Sequence, residues 1–97
     1  MNPYSSKKLP TDILYETALK HRQVRKRLKL SQAQLADRSG VSLGSIKRFE
    51  RKGKISFEAL LKLAHILDCL HDFENLFSPQ SNLEEVEKLF SDKTRRR

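Results

Sequence analysis

Three serines, Ser31, Ser42 and Ser56, recur in one spacing between apolar residues, and this repeat constrains the fold more than any other feature of the chain. Leu30 and Leu35 flank the first, Val41 and Ile46 the second, Ile55 and Leu60 the third, always one residue before the serine and four after it. A serine hydroxyl satisfies the open N–H groups that begin a helix, and an apolar pair at those two places staples the entering chain to the first turn. Gln34 adds the reciprocal capping-box position after Ser31. Gly40 and Gly53 stand where the first two of these helices must stop, since glycine takes the left-handed conformation that closes a helix. Three helices in series with short connections are therefore expected, and neither a period-two alternation nor an internal repeat competes with them.

Upstream, Thr11 and Asp12 follow Pro10 and are expected to open a longer helix whose apolar stripe is Leu14, Ala18, Val24 and Leu28. The helix from Phe57 to Leu67 carries Leu60, Leu61, Leu63, Ala64 and Leu67, too many for a narrow stripe, and is read as the central core helix. Asp72 is expected to cap a short fifth helix bearing Phe73, Leu76 and Phe77, and Pro79 with Gln80, Ser81 and Asn82 marks a break after it. A last helix is expected from Leu83 to Phe90, with Leu83, Val86, Leu89 and Phe90 on one side, followed by a disordered tail from Lys93 to Arg97. The fold class is all-α: a compact bundle of about five helices with a helix-turn-helix, plus a short C-terminal helix. Residues 1–10 form an N-terminal arm, 11–78 the domain, and 79–97 the C-terminal helix and basic tail. A chain of 97 residues suits one core. No apolar run approaches the roughly 20 residues needed to span a bilayer, and no apolar segment follows the first charges, so a cytoplasmic, nucleoid-associated location is expected. The single cysteine, Cys69, has no partner in the chain for a disulfide.

The net charge of +8 is divided unevenly. Residues 1–54 hold 14 Lys and Arg against 4 Asp and Glu, residues 55–92 hold 2 against 8, and residues 93–97 hold 4 against none. Such asymmetry suits a cationic face for DNA or RNA with the acidic remainder turned elsewhere. The tight spacing between Gln32 and Phe49 supplies the element: helix, glycine-ended turn, helix, with no room for a longer loop. Ala36 is small where the two helices cross, Val41 plugs the turn, and Ile46 and Phe49 face inward. Ser42, Leu43, Gly44, Ser45, Lys47, Arg48 and Arg51 remain for the outer face, a small and basic surface suited to a major groove.

The stretch LSQAQLADRSGVSLGSIKRFERKGKIS, continuing to Ile66, resembles the lambda-repressor-like family of regulators, also called XRE or Cro-type. The marks are Ser31-Gln32, Leu35-Ala36, Gly40-Val41-Ser42, Ile46, Phe49-Glu50 and Gly53, and the similarity covers roughly residues 18–77. The resemblance implies a bundle of about five helices that binds operator DNA as a homodimer, with the helix after Ser42 as reader and no catalysis; no metal or cofactor is expected. It implies that Gln32 contacts a phosphate, that Ser42, Ser45 and Lys47 contact phosphate or base, and that Arg48 reads guanine. Arg51, Lys52 and Lys54 then clamp the backbone. Leu43 and Gly44 depart from many relatives, leaving Leu43 to touch a thymine methyl and Gly44 to read nothing. The expected function is a sequence-specific, autoregulatory transcriptional repressor on an inverted-repeat operator. The alternative is an antitoxin or adapter that also neutralises a partner protein such as a kinase-like toxin.

Several residues have a plainer reading. Arg22, Arg25, Lys26, Arg27 and Lys29 either grip phosphates or form a solvated helix face. His65, Asp68, Cys69, His71 and Asp72 lack the paired short spacings of a zinc site. Glu50, beside Arg51, is expected to pair with a basic neighbour, and no nucleophile, base and orienting residue occur together, so an enzyme is not expected.

Overall fold

The structure is a computed structural model that describes residues 7–79 and 87–91. Four α-helices follow one another: α1 (Pro10–Arg27), α2 (Gln32–Ser39), α3 (Leu43–Lys52) and α4 (Phe57–Ile66), then a 3-10 turn, Leu70–Phe73. No strand occurs among the described residues, and residues 87–91 are helical. Leu83, Val86 and the expected tail from Lys93 to Arg97 lie outside the described residues.

The three serines begin their helices as the spacing requires. Ser31, Ser42 and Ser56 accept the backbone N–H of Gln34, Ser45 and Ala59 at 3.0, 3.1 and 3.1 Å. The Ser31 N–H in turn donates to Gln34 Oε1 at 2.8 Å, completing the capping box. α2 and α3 end at Gly40 and Gly53, with φ of 78° and 74°. At Gly53 an added Cβ would stand 3.0 Å from the backbone of Leu14, so both the left-handed turn and the approach of α1 require glycine. α1 and α4 end instead on Lys29 and Asp68, each with φ of 59°. The Leu30 N–H donates to Arg25 O at 3.1 Å and that of Cys69 to Ala64 O at 2.8 Å, so both ends close as glycine-ended helices do.

Phe49, Leu35, Ile46 and Leu63 are fully buried, joined by Ala18, Leu30, Val41 and Leu67. Each of these side chains except Ala18 contributes roughly 1.5–3 kcal/mol by leaving water. α3 packs on α1 and α2, α4 packs on α2, and the 3-10 turn closes on α4. The outer side of α3 is thereby left open.

Three expectations are corrected. α1 begins at Pro10, with Leu9 as cap residue and the Asp12 carboxylate accepting the Leu9 N–H at 2.8 Å. Its buried face is Ala18, His21 and Arg25, while Leu14 and Leu28 of the expected stripe are 42% and 48% exposed. Two polar residues occupy this inner face because a buried carboxylate from α3 meets them there. The fifth α-helix expected from Asp72 is the four-residue 3-10 turn, in which Phe73 meets Phe57 edge-on at 5.9 Å. A single turn forms too few hydrogen bonds to persist as an α-helix, and Phe77, with φ of 58°, lies beyond it fully exposed.

Candidate nucleic-acid interface

Only Gly40, Val41 and Ser42 join α2 to α3, and Val41 is buried in the turn they make. Ile46 and Phe49 bury the inner side of α3, so the helical period turns the intervening residues outward. Ser42, Gly44, Ser45, Lys47, Arg48, Arg51 and Lys52 are exposed, as is Lys54 just beyond the helix, while Leu43 is half-buried. The result is a rod about 15 Å long with cations along its open side. Nothing lies within 4 Å of a Cβ built on Gly44, so the rod carries a bare patch there.

A hollow lies on each flank of this rod. The first, about 440 Å³, is lined by Arg22 and Arg25 of α1, Ser31 and Gln32 at the start of α2, and Lys47, Glu50 and Arg51 of α3. The second, about 350 Å³, is lined by Ser45 and Arg48 of α3, by Lys54, Ile55 and Ser56, and by Ala59 of α4. Each hollow is therefore cationic and sits at a serine-capped helix start, where backbone N–H groups and the helix dipole favour an anion. Ser42 donates its hydroxyl to Ser45 Oγ at 2.8 Å, so these two side chains act as one polar unit at the head of α3.

Among the described residues Glu50 is the sole acid lining the first hollow, and its side chain is only 4% exposed. Its carboxylate accepts Arg25 Nε at 2.8 Å, Arg25 Nη2 at 2.9 Å and Gln32 Nε2 at 3.0 Å. Arg25 Nη1 also donates to Leu30 O at 2.8 Å, tying the α1–α2 connection to the same fork. His21 Nδ1 lies 2.9 Å from Glu50 Oε2, with the ring edge-on to Phe49 at 5.0 Å. Burial by itself raises the Glu50 carboxyl, but hydrogen bonds from Arg25 and Gln32 and the charges around it overcome this and hold it below the usual carboxylate range. For His21 burial wins: its pKa is lowered despite the pull of Glu50, and the charge of Arg25 lowers it further.

The structure thus gathers Gln32, Lys47 and Arg51 at one hollow and Ser45, Arg48 and Lys54 at the other, with Ser42 beside Ser45. Lys52, Leu43 and Gly44 lie at neither. Arg22 and Ser56 line the hollows as well. Arg22 belonged to an undifferentiated basic run, and Ser56 was read as a cap alone. Arg25, grouped with that run, is 7% exposed and committed to Glu50, and the partner of Glu50 is this distant arginine rather than Arg51. Lys26, Arg27 and Lys29 are exposed and line neither hollow.

No group of three or more His, Cys, Asp or Glu suited to a metal occurs among the described residues. Cys69 is half-buried with Sγ donating to Leu67 O at 3.4 Å, and burial, then Asp72 and Asp68, push its thiol pKa up. Among the described residues no helix is long and apolar enough to cross a membrane. A family model described as helix-turn-helix matches residues 22–73, from the middle of α1 to the end of the 3-10 turn. No curated protein and no solved structure matches the chain.

Proposed function

We propose that this chain, which belongs to the lambda-repressor-like (XRE) helix-turn-helix family of DNA-binding transcription regulators, is a sequence-specific repressor that binds an inverted-repeat operator as a homodimer. The observation that carries the reading is the exposed cationic side of α3 between two cationic hollows. A helix fits the major groove, and two sugar-phosphate strands border that groove. In this arrangement α3 enters the groove while each hollow receives a phosphate. Gln32, Arg22, Lys47 and Arg51 hold one strand, and Lys54 with the N-terminus of α4 holds the other. An acid facing a phosphate would repel it, but Arg25 neutralises Glu50. The Gln32 amide keeps a second N–H for a phosphate oxygen. Arg48 reads guanine as a two-pronged donor, Ser42 and Ser45 serve the nearby phosphate or base edge, and Leu43 meets a thymine methyl. Lys52 adds a long-range attraction.

Two copies on a palindrome place two α3 helices about 34 Å apart, one turn of B-DNA, and multiply weak half-site binding. Repression of its own promoter, in the cytoplasm on the nucleoid, then makes protein abundance the control variable. Selection of bound sites from random duplexes tests the reading. An enriched inverted repeat is expected, with affinity falling roughly tenfold to a thousandfold between 50 and 200 mM salt if about four to eight phosphates are engaged. Flat salt dependence or no enrichment refutes it.

A second reading, an antitoxin or adapter that also neutralises a partner such as a kinase-like toxin, is favoured by the segment from Phe57 to Phe77. There Phe57, Leu70, Leu76 and Phe77 are exposed in a segment that also carries Glu58, Asp68, Asp72 and Glu74. Exposed apolar groups of this kind mark protein contacts. Purification of the tagged chain from its own cell distinguishes the two: a stoichiometric protein partner supports the adapter role, and DNA alone supports the plain repressor.

A further inference from the structure

His21 is 8% exposed, and neither ring nitrogen has a partner at a hydrogen-bonding angle among the described residues. Burying a polar ring in this way is costly, and an aliphatic side chain would pack against Phe49 without that cost. Yet Nδ1 stands 2.9 Å from Oε2 of Glu50. At that separation two lone pairs repel, so the ring proton belongs on Nδ1, giving a bent N–H···O contact and leaving Nε2 bare. The charged or titratable groups around the ring are Arg25 on its own helix, Glu50 on α3, and Lys20, Cys69 and Asp72 around the hollow behind it. Of these, Glu50 is the group that His21 meets at contact distance.

We propose that His21 is a positioning residue for DNA binding that acts through Glu50 on Gln32, an inference that rests on the DNA-binding reading above. Glu50 Oε2 accepts Arg25 Nε and stands 2.9 Å from His21 Nδ1, while Oε1 accepts Arg25 Nη2 and Gln32 Nε2. With Arg25 bonded to its inner oxygen and the His21 ring in contact on the other side, the carboxylate keeps its outer oxygen turned to the start of α2. The Gln32 amide is thereby fixed nitrogen-first on Glu50, and its remaining N–H is pre-aimed for a phosphate. Without His21 the carboxylate rotates about the Arg25 fork, and Gln32 must be ordered anew at each binding event.

The test uses the duplex that the wild-type chain enriches, with dissociation constants and melting temperatures for H21L, H21N, Q32A and H21L/Q32A. His21→Leu is expected to bind about tenfold more weakly without a lower melting temperature, a loss of the size that one hydrogen bond to a charged group supplies. His21→Asn places an amide N–H near the Nδ1 position and is expected to stay within about threefold of wild type. In the Gln32→Ala background, His21→Leu should cost less than about twofold more, because the side chain it positions is gone. Unchanged affinity in His21→Leu, or losses that simply add in the double variant, overturns the proposal. If the wild type enriches no duplex, the DNA-binding reading itself fails. An NMR titration of the wild-type imidazoles decides the case should His21→Leu not fold. Duplex should shift the His21 ring signals and leave the exposed His65 and His71 in place, and an unmoved His21 overturns the coupling.

Discussion

Glu50 gathers Arg25, Gln32 and His21 on one buried carboxylate, so its removal strands a guanidinium that is itself 7% exposed. Breaking a buried pair from one side costs about 3–5 kcal/mol, and Glu50→Ala is expected to lower the free energy of urea unfolding by that much. Replacing both partners by apolar residues, Arg25→Met with Glu50→Leu, should cost less than the single change, because no charge is left alone. The same cluster sets the acid response. His21 titrates lower folded than unfolded, so below about pH 6.5 the unfolded chain binds a proton that the folded chain refuses, and stability falls with pH. Glu50, lowered in the fold, adds a further loss as pH drops through the carboxylate range. Melting temperature should therefore decline from pH 7.5 to 5.5, and the decline should shrink in His21→Leu. Two glycines near α3 separate in the same way. Gly44 has open space around it, and Gly44→Ala should stabilise by about 0.5–1 kcal/mol, whereas Gly53→Ala meets a positive φ and the Leu14 backbone and should destabilise by more than about 1 kcal/mol. Opposite shifts in melting temperature are the check.

At the scale of the helix, the capped starts were legible because capping is local: Ser31, Ser42 and Ser56 each need only residues within four positions. The glycine-ended stops of α2 and α3 were legible for the same reason. The end of α1 was not, since Lys29 has no chemistry that favours the left-handed region, and packing of Leu30 into the core forces it there. Lys29→Gly is accordingly expected to raise stability by up to about 1 kcal/mol, read from the denaturation midpoint. The buried face of α1 was hidden more deeply. An apolar stripe through Leu14 and Leu28 satisfies the helical period, but Leu14 reaches only the edge of the bundle at Gly53 and Leu28 lies at the last turn. The polar face of His21 and Arg25 prevails because Glu50, 25 residues beyond Arg25, arrives opposite it.

For the molecule as a whole, the charge asymmetry read along the chain becomes a surface with a cationic rod and two cationic hollows. Its residues divide by what they face. Lys54→Ala should weaken specific and nonspecific duplexes alike and lower the slope of log affinity against log salt by about 0.9. Arg48→Ala should cost about 1–3 kcal/mol on the selected site alone, relaxing preference at one base pair, as measured by competition with mismatched duplexes. The order of residues by itself determined the all-helical class, the helix-turn-helix and the outward cations of α3, because capping, stapling and helical period act over one or two turns. The folded structure alone decided which arginine of α1 is buried and which is offered, that Glu50 answers Arg25 and Gln32, and that α4 starts beside the second hollow. Those facts depend on residues brought together across the bundle, and a buried charge takes its partner from whatever the packing places within about 3 Å.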